Sequence, residues 1–173
     1  ILSEHSKIHG FALKIVEPVK DKDCKEVYSS TAIRNFIKEG NMENAQMMLG
    51  LPWSMDGTVI QGDQRARQMN FPTANILPHN HLHPLKGVYA VRALLEKKSF
   101  VGIANFGERP TVDGKKLLLE VHLFDFDKNI YGNHLTVEFL TFIRSEKKFD
   151  NFDLLVNQIK RDIEKAKNYH LKK

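Results

Sequence analysis

The sequence predicts a mainly β protein: an antiparallel sheet, closed as a barrel or stacked as a sandwich, with one C-terminal helix and a small helical segment in front. Three observations predict it. Between residues 53 and 142, short apolar runs follow one another at hairpin spacing with no helical period between them. Phe152, Leu155, Val156, Ile159, Ile163 and Ala166 recur at helical spacing near the end of the chain. Gly40 and Gly50 each close a short helical pattern before residue 51.

The first stretch, residues 1–27, carries little pattern; Phe11 to Val16 alternates weakly and reads as one strand ending before Pro18. Ser29 or Ser30 is a suitable N-cap for a helix through Ile33, Phe36 and Ile37, and a second short helix runs from Met42 to Leu49. A boundary near residue 50 therefore divides the chain into a segment 1–50 and a domain 51–173. Strands are expected at Thr58–Gln61, Gly87–Glu96, Ser99–Asn105, Leu117–Phe126 and His134–Phe142. Lys97–Lys98 and Asp127–Asn129 read as turns, and Asn105–Thr111, with Gly107 and Pro110, as a loop. In the last strand Leu135, Val137 and Phe139 share one face. Asp150 and Asp153 start the final helix and Lys165 and Lys167 end it, as its dipole favours; its apolar stripe is expected to pack on the sheet.

Length and composition narrow the function. A chain of 173 residues is one domain, or one domain and a fragment, and it begins at Ile1 rather than Met. Cys24 is the single cysteine, which excludes a disulfide framework and fits a reducing, cytoplasmic setting. No apolar run approaches the ~20 residues of a membrane-spanning helix, so no membrane partner is expected. The net charge of +5 favours anionic ligands, although lysines such as Lys147, Lys148, Lys172 and Lys173 read first as a solvated surface. Phosphate-loop and dinucleotide motifs (GxxxxGK[ST], GxGxxG) are absent, as are paired Cys-x-x-Cys units. His79, His81 and His83 alternate before Pro84 and read as a polar loop rather than a metal cluster.

The chemistry concentrates in Gly57–Ile76, GTVIQGDQRARQMNFPTANI. Gly57 and Gly62 let backbone approach an anion closely, and Arg65 and Arg67 grip phosphate. Thr73 and Asn75, two residues apart on an extended segment, point to one side and offer two hard oxygens to Mg²⁺. That combination indicates phosphoryl transfer from a Mg²⁺–nucleotide. Glu120 sits mid-strand on a face with Leu118, His122, Phe124 and Phe126. It is either a carboxylate on an open strand face or a general base that takes a proton from an attacking hydroxyl. Arg144 suits a phosphate or an aromatic ring, and Glu146 a neighbouring lysine.

These residues resemble the riboflavin kinase (flavokinase) family, whose nucleotide loop has the form G-x-V-x-x-G-x-x-R-G-R-x-L-G-F-P-T-A-N. The likeness continues through Gly87–Val91, the Asn-x-Gly-x-x-Pro-Thr segment from Asn105, Glu120–Phe126, Tyr131-Gly132 and Ile143–Phe149, covering about residues 53–170 in order. Ala66 and Asn70 stand where the family usually has glycine. Upstream, Tyr28–Arg34 resembles the end of the FMN adenylyltransferase domain that precedes flavokinase in the bifunctional bacterial enzyme, whose Ser-Ser-Thr-x-Ile-Arg segment contacts nucleotide phosphates.

The resemblance implies a six-stranded antiparallel Greek-key barrel and phosphorylation of riboflavin to FMN, with ADP as co-product. It implies ATP over Gly57, Gly62, Arg65 and Arg67, Mg²⁺ at Thr73 and Asn75, and Glu120 as the base. Riboflavin would lie near Asn105, Arg144, Glu146 and Phe149, while Ser29, Ser30, Thr31 and Arg34 would be the adenylyltransferase remnant. It also implies a missing N-terminal adenylyltransferase half, with which the full-length enzyme converts FMN to FAD; residues 1–50 would not do this alone. Two other readings compete: a basic barrel that binds single-stranded nucleic acid, and an inactive docking fragment of a larger enzyme. The former needs aromatic side chains interleaved with Arg and Lys on one sheet face, which the strands do not offer; no nucleic-acid partner is expected.

Overall fold

Backbone alternation in the central strands sorts their side chains into two sets, and that sorting builds the molecule. A computed structural model describes residues 1–20, 27–62, 71–78, 82–111 and 114–171. Six strands, β1 (Ser54–Ile60), β2 (Ala74–Ile76), β3 (Gly87–Leu95), β4 (Lys98–Thr111), β5 (Gly114–Leu123) and β6 (His134–Ser145), close into a barrel in the order β1-β2-β5-β4-β3-β6. Every pairing is antiparallel. Strands β3, β4 and β5 follow one another by hairpins and β6 returns beside β3, which is Greek-key connectivity.

The inward set fills the barrel. Tyr89, Phe106, Phe139, Leu119, Leu135 and Val137 are wholly buried, and Tyr89 packs edge-on against Phe139 and Phe142 with ring centroids 5.0 and 5.1 Å apart. The Tyr89 hydroxyl donates to the Leu85 carbonyl, and burial raises its pKa. The barrel interior is therefore packed core rather than a ligand cavity.

Helices α1 (Leu2–His9), α2 (Ser30–Glu39) and α3 (Met42–Leu49) precede the barrel, and α4 (Phe152–Leu171) follows it. Ser29 caps α2 as expected, its hydroxyl accepting from the Ala32 amide at 3.0 Å, and Gly40 ends the helix with φ 77°. Ile37, Met42 and Ala45 join the same apolar cluster as the barrel interior, so the helical pair is seated on the barrel.

Four sequence expectations are corrected. Residues 11–16 form no strand, and α1, which buries no residue and has no apolar face to betray it, lies ahead of them. The turn between β3 and β4 is at Glu96 and Lys97, with φ 47° and 69°, one residue earlier than read. Asn105–Thr111 is strand rather than loop: β4 pairs with β5 through Thr111↔Gly114, and the ladder outweighs the local turn signal of Gly107 and Pro110. The stripe on α4 packs on the sheet only in its C-terminal half, where Ile163, Ala166 and Tyr169 meet Val88, Ala90, Ile103 and Phe124. Nearer its start, Phe152 is exposed and Leu155 and Ile159 only half-buried. That gap between helix and barrel is the candidate site.

Candidate active site

The outward set of side chains on β2, β5 and β4 makes the floor of the site. Antiparallel register places Asn75 opposite Glu120, and Glu120 opposite Asn105, so three polar side chains form one row across three strands. The row continues to Val88 on β3 and Arg144 on β6. Over it lies a cleft of about 920 Å³ whose far wall is Phe149, Phe152, Leu155 and Ile159. Its lining combines the polar row with aliphatic and aromatic groups from the strands and from the last helix, a combination suited to an organic ligand with both apolar and polar parts.

Glu120 is half-buried on this floor. Its Oε2 accepts from Arg109 Nη2, and Asn105 Nδ2 lies 3.5 Å from the same oxygen. Arg109 also reaches Glu146 Oε1 at 3.6 Å, so one guanidinium ties β5 to the segment after β6. Glu146 comes this close because Gly107 has no side chain: a Cβ there would collide with the Glu146 carboxylate. The neighbour of Glu146 is thus an arginine rather than a lysine.

A second part of the cleft is built around Asn75. It is 5% exposed, and its Oδ1 makes no hydrogen bond among the described residues. Gly62 lies against the same amide, where a Cβ would overlap Nδ2. Thr73 lines the cleft beside it. A buried acceptor without a partner among the described residues, beside a hydroxyl, suits the oxygen donors that a hard divalent cation takes. Among the described residues no group of three or more His, Cys, Asp or Glu could hold a metal. The side-chain oxygens that Thr73 and Asn75 offer are neutral.

Arg144 is held from behind. Its Nε donates to Asp162 Oδ2 at 2.8 Å, and Gln158 Nε2 donates to Asp162 Oδ1 at 2.8 Å. Asp162, 2% exposed and facing the barrel from α4, is thereby fully engaged. Arg144 Nη1 donates to the Ser145 carbonyl at 2.9 Å, and the guanidinium carbon lies 5.9 Å from the Phe149 ring centroid.

Gly62, Thr73, Asn75, Asn105, Glu120, Arg144, Glu146 and Phe149 all line this one cleft. Gly57 does not: it is buried in β1, where a Cβ would meet Ile76 Cγ2 at 2.6 Å, so its place in the fold is one of close packing. Ser29, Ser30, Thr31 and Arg34 sit at the start of α2, outside the cleft. Arg65, Arg67, Ala66, Asn70, His79 and His81 lie outside the described residues. Three residues around the cleft are not evident from sequence: Arg109 lies in a stretch that reads as a loop, and Asp162 and Gln158 look like ordinary polar positions of an amphipathic helix. The spacing of Gln158 and Asp162, four apart on the flank of the apolar stripe, is the one signal that pointed to them.

Known proteins share this arrangement of sequence and fold. The flavokinase family profile, described as riboflavin kinase, matches residues 49–170. A bifunctional riboflavin kinase/FMN adenylyltransferase from Haemophilus influenzae is 49% identical over 172 residues, covering 98% of this chain and 54% of its own length. The chain spans about half the length of the curated relatives it matches. A macrolide-efflux protein from Streptococcus pneumoniae, a solved structure, superposes with TM-score 0.80 at 38% identity, over 88% of this chain and 50% of its own. Riboflavin kinase from Trypanosoma brucei superposes with TM-score 0.50 at 23% identity, over 68% of this chain and 79% of its own, a likeness of fold. With its closed six-stranded barrel, its C-terminal helix and a profile match over most of its length, the chain belongs to the riboflavin kinase family.

Proposed function

We propose that this chain transfers the γ-phosphoryl group of ATP to the 5′-hydroxyl of riboflavin, giving FMN and ADP. The observation that carries this reading is the Asn75–Glu120–Asn105 row, which sets a metal-type oxygen donor beside a carboxylate on the floor of an apolar cleft. Riboflavin's ring system suits the wall formed by α4 and Phe149, and its ribityl arm the polar floor.

Glu120 takes the hydroxyl proton as the oxygen attacks, a role worth about 10²–10⁴ in rate. Arg109 and Asn105 fix the orientation of that carboxylate. Arg144, fastened by Asp162, presents its guanidinium at the flavin end. Thr73 and Asn75 would hold Mg²⁺, which when bound supplies charge neutralisation for the phosphates. Gly62 lets the backbone pack directly against the Asn75 amide, where a Cβ would collide with Nδ2. Catalysis of this kind rests on positioning and electrostatics, which a rigid barrel wall provides.

We assign residues 51–173 to the kinase domain and 1–50 to the end of an adenylyltransferase domain, with conversion of FMN to FAD belonging to a longer protein. A cytoplasmic setting suits the lone cysteine and the substrates; among the described residues no helix is long and apolar enough to cross a membrane. The nucleic-acid reading loses its stacking platform, because Phe124 is buried under α4 and Phe126 packs on Phe100 at 4.9 Å.

Incubation with riboflavin, ATP and Mg²⁺ tests the proposal. FMN resolved by chromatography with fluorescence detection is the expected result, and folded protein that makes none refutes it.

A further inference from the structure

The strand that carries Glu120 carries a second outward side chain, two residues on, that the reaction above does not use. His122 lines the same cleft. Its Nδ1 lies 2.9 Å from the carbonyl oxygen of Pro72, and a carbonyl only accepts, so Nδ1 carries the hydrogen and donates. The imidazole ring also meets the Phe71 ring edge-on, with centroids 5.7 Å apart at 85°, and is backed by Phe124 at 5.8 Å.

These contacts fall where the sheet stops holding the chain. Strand β2 is three residues long, and its register with β5 runs only from Ala74↔Val121 to Ile76↔Leu119. Asn75 is held by that ladder; Thr73, one residue before it, is not. The bond to Pro72 and the ring contact with Phe71 grip the two residues that precede Thr73.

We propose that His122 is a positioning residue for the nucleotide limb of the site. By donating to the Pro72 carbonyl and bracing Phe71, it sets the Thr73 hydroxyl alongside Asn75 Oδ1. It touches neither metal nor phosphate in this role. The inference rests on the reading that Thr73 and Asn75 hold the Mg²⁺–nucleotide, and it adds a residue that decides how well they do so.

Three substitutions separate the hydrogen bond from the ring. H122F keeps a ring against Phe71 and loses the donor. H122N keeps a donor near the position of Nδ1 and loses the ring, and H122A loses both. Binding of Mg²⁺ with the non-hydrolysable analogue AMP-PNP is measured by titration calorimetry, and riboflavin binding by fluorescence quenching, on the same preparations. One neutral hydrogen bond corresponds to about fivefold in affinity. H122F should weaken nucleotide binding by about that factor, H122A by more, and H122N by less than about twofold, while riboflavin affinity stays within about twofold throughout. Nucleotide affinity unchanged in H122F overturns the inference, as does a parallel loss for both ligands. If H122F fails to fold, H122A and H122N decide together: a loss of about fivefold or more in H122A that H122N largely restores supports the inference, and equal nucleotide affinities in the two overturn it. No nucleotide binding by the unaltered protein would instead overturn the kinase reading, and the inference with it.

Discussion

Asn75 gives the clearest opportunity to separate stability from function. Its Oδ1 is buried without a hydrogen-bond partner among the described residues. An unsatisfied buried acceptor costs about 1–3 kcal/mol. Leucine has the same fork at Cγ, so its two methyl groups occupy the amide's place, and Gly62 opposite contributes no Cβ to crowd them. Part of the gain is lost to imperfect fit, leaving the ligand-free Asn75→Leu protein more stable by about 1–2 kcal/mol. For a chain of this length a kilocalorie moves the melting temperature by roughly 2–4 °C, so Tm should rise by roughly 2–8 °C. Adding Mg²⁺–ADP at a hundred times its Kd should stabilise the parent protein by about 2.7 kcal/mol and leave the variant unmoved. The order of melting then reverses on addition of nucleotide, which thermal unfolding followed by circular dichroism reads directly. A variant that melts at or below the parent without nucleotide refutes the account of Asn75 as a strained, waiting ligand. So does a variant with an undiminished nucleotide shift.

Two further predictions concern the walls around that site. Asp162→Ala strands Arg144 against the barrel; at about 3 kcal/mol for breaking a buried ion pair, Tm should fall by roughly 6–12 °C, with riboflavin affinity falling too as the front of α4 loses its tie. A melt within about 2 °C of the parent would show that the pair does not hold the helix. His170 lies in the last turn of α4 with its ring against Phe124, where burial first, and then the charge of Arg92, lowers its pKa despite a backbone contact to Gly102. With the folded pKa below the unfolded value of about 6.5, the unfolded chain binds more protons just below that pH, so stability is full above it and declines as pH falls towards the folded pKa. Tm measured from pH 7.5 to 5.5 should drop less steeply in His170→Asn than in the parent; parallel curves would remove His170 as a cause.

Much of this architecture was legible in the residue pattern, for identifiable reasons. Alternation in Leu135, Val137 and Phe139 survives because those side chains face a packed interior, and the cap residues Ser29 and Gly40 act locally, through their own backbone. Thr73 and Asn75 stand out as two oxygen donors two residues apart on an extended segment, and Glu120 as a carboxylate mid-strand among apolar residues; the fold brings all three to one cleft. What stayed hidden depends on register between distant strands. Nothing local tells that Asn75 and Glu120 are cross-strand neighbours, or that Arg109 on β4 reaches Glu120 and Glu146 together. Gly57 and Gly62 look alike in sequence; only their neighbours, Ile76 in one case and the Asn75 amide in the other, separate a glycine packed in the core from one that lines the cleft. The stripe on α4 likewise cannot reveal that half of it faces a cleft instead of the sheet.

The most direct test is single-turnover formation of FMN by the parent protein and Glu120→Gln, with Mg²⁺–ATP and riboflavin both saturating. Glutamine keeps the shape and an oxygen for Arg109 but no longer takes a proton. FMN should form in the parent, with the rate falling by about 10²–10⁴ in the variant while both ligands still bind. Equal rates in the two proteins would contradict Glu120 as the base, and no FMN from either would contradict the kinase itself.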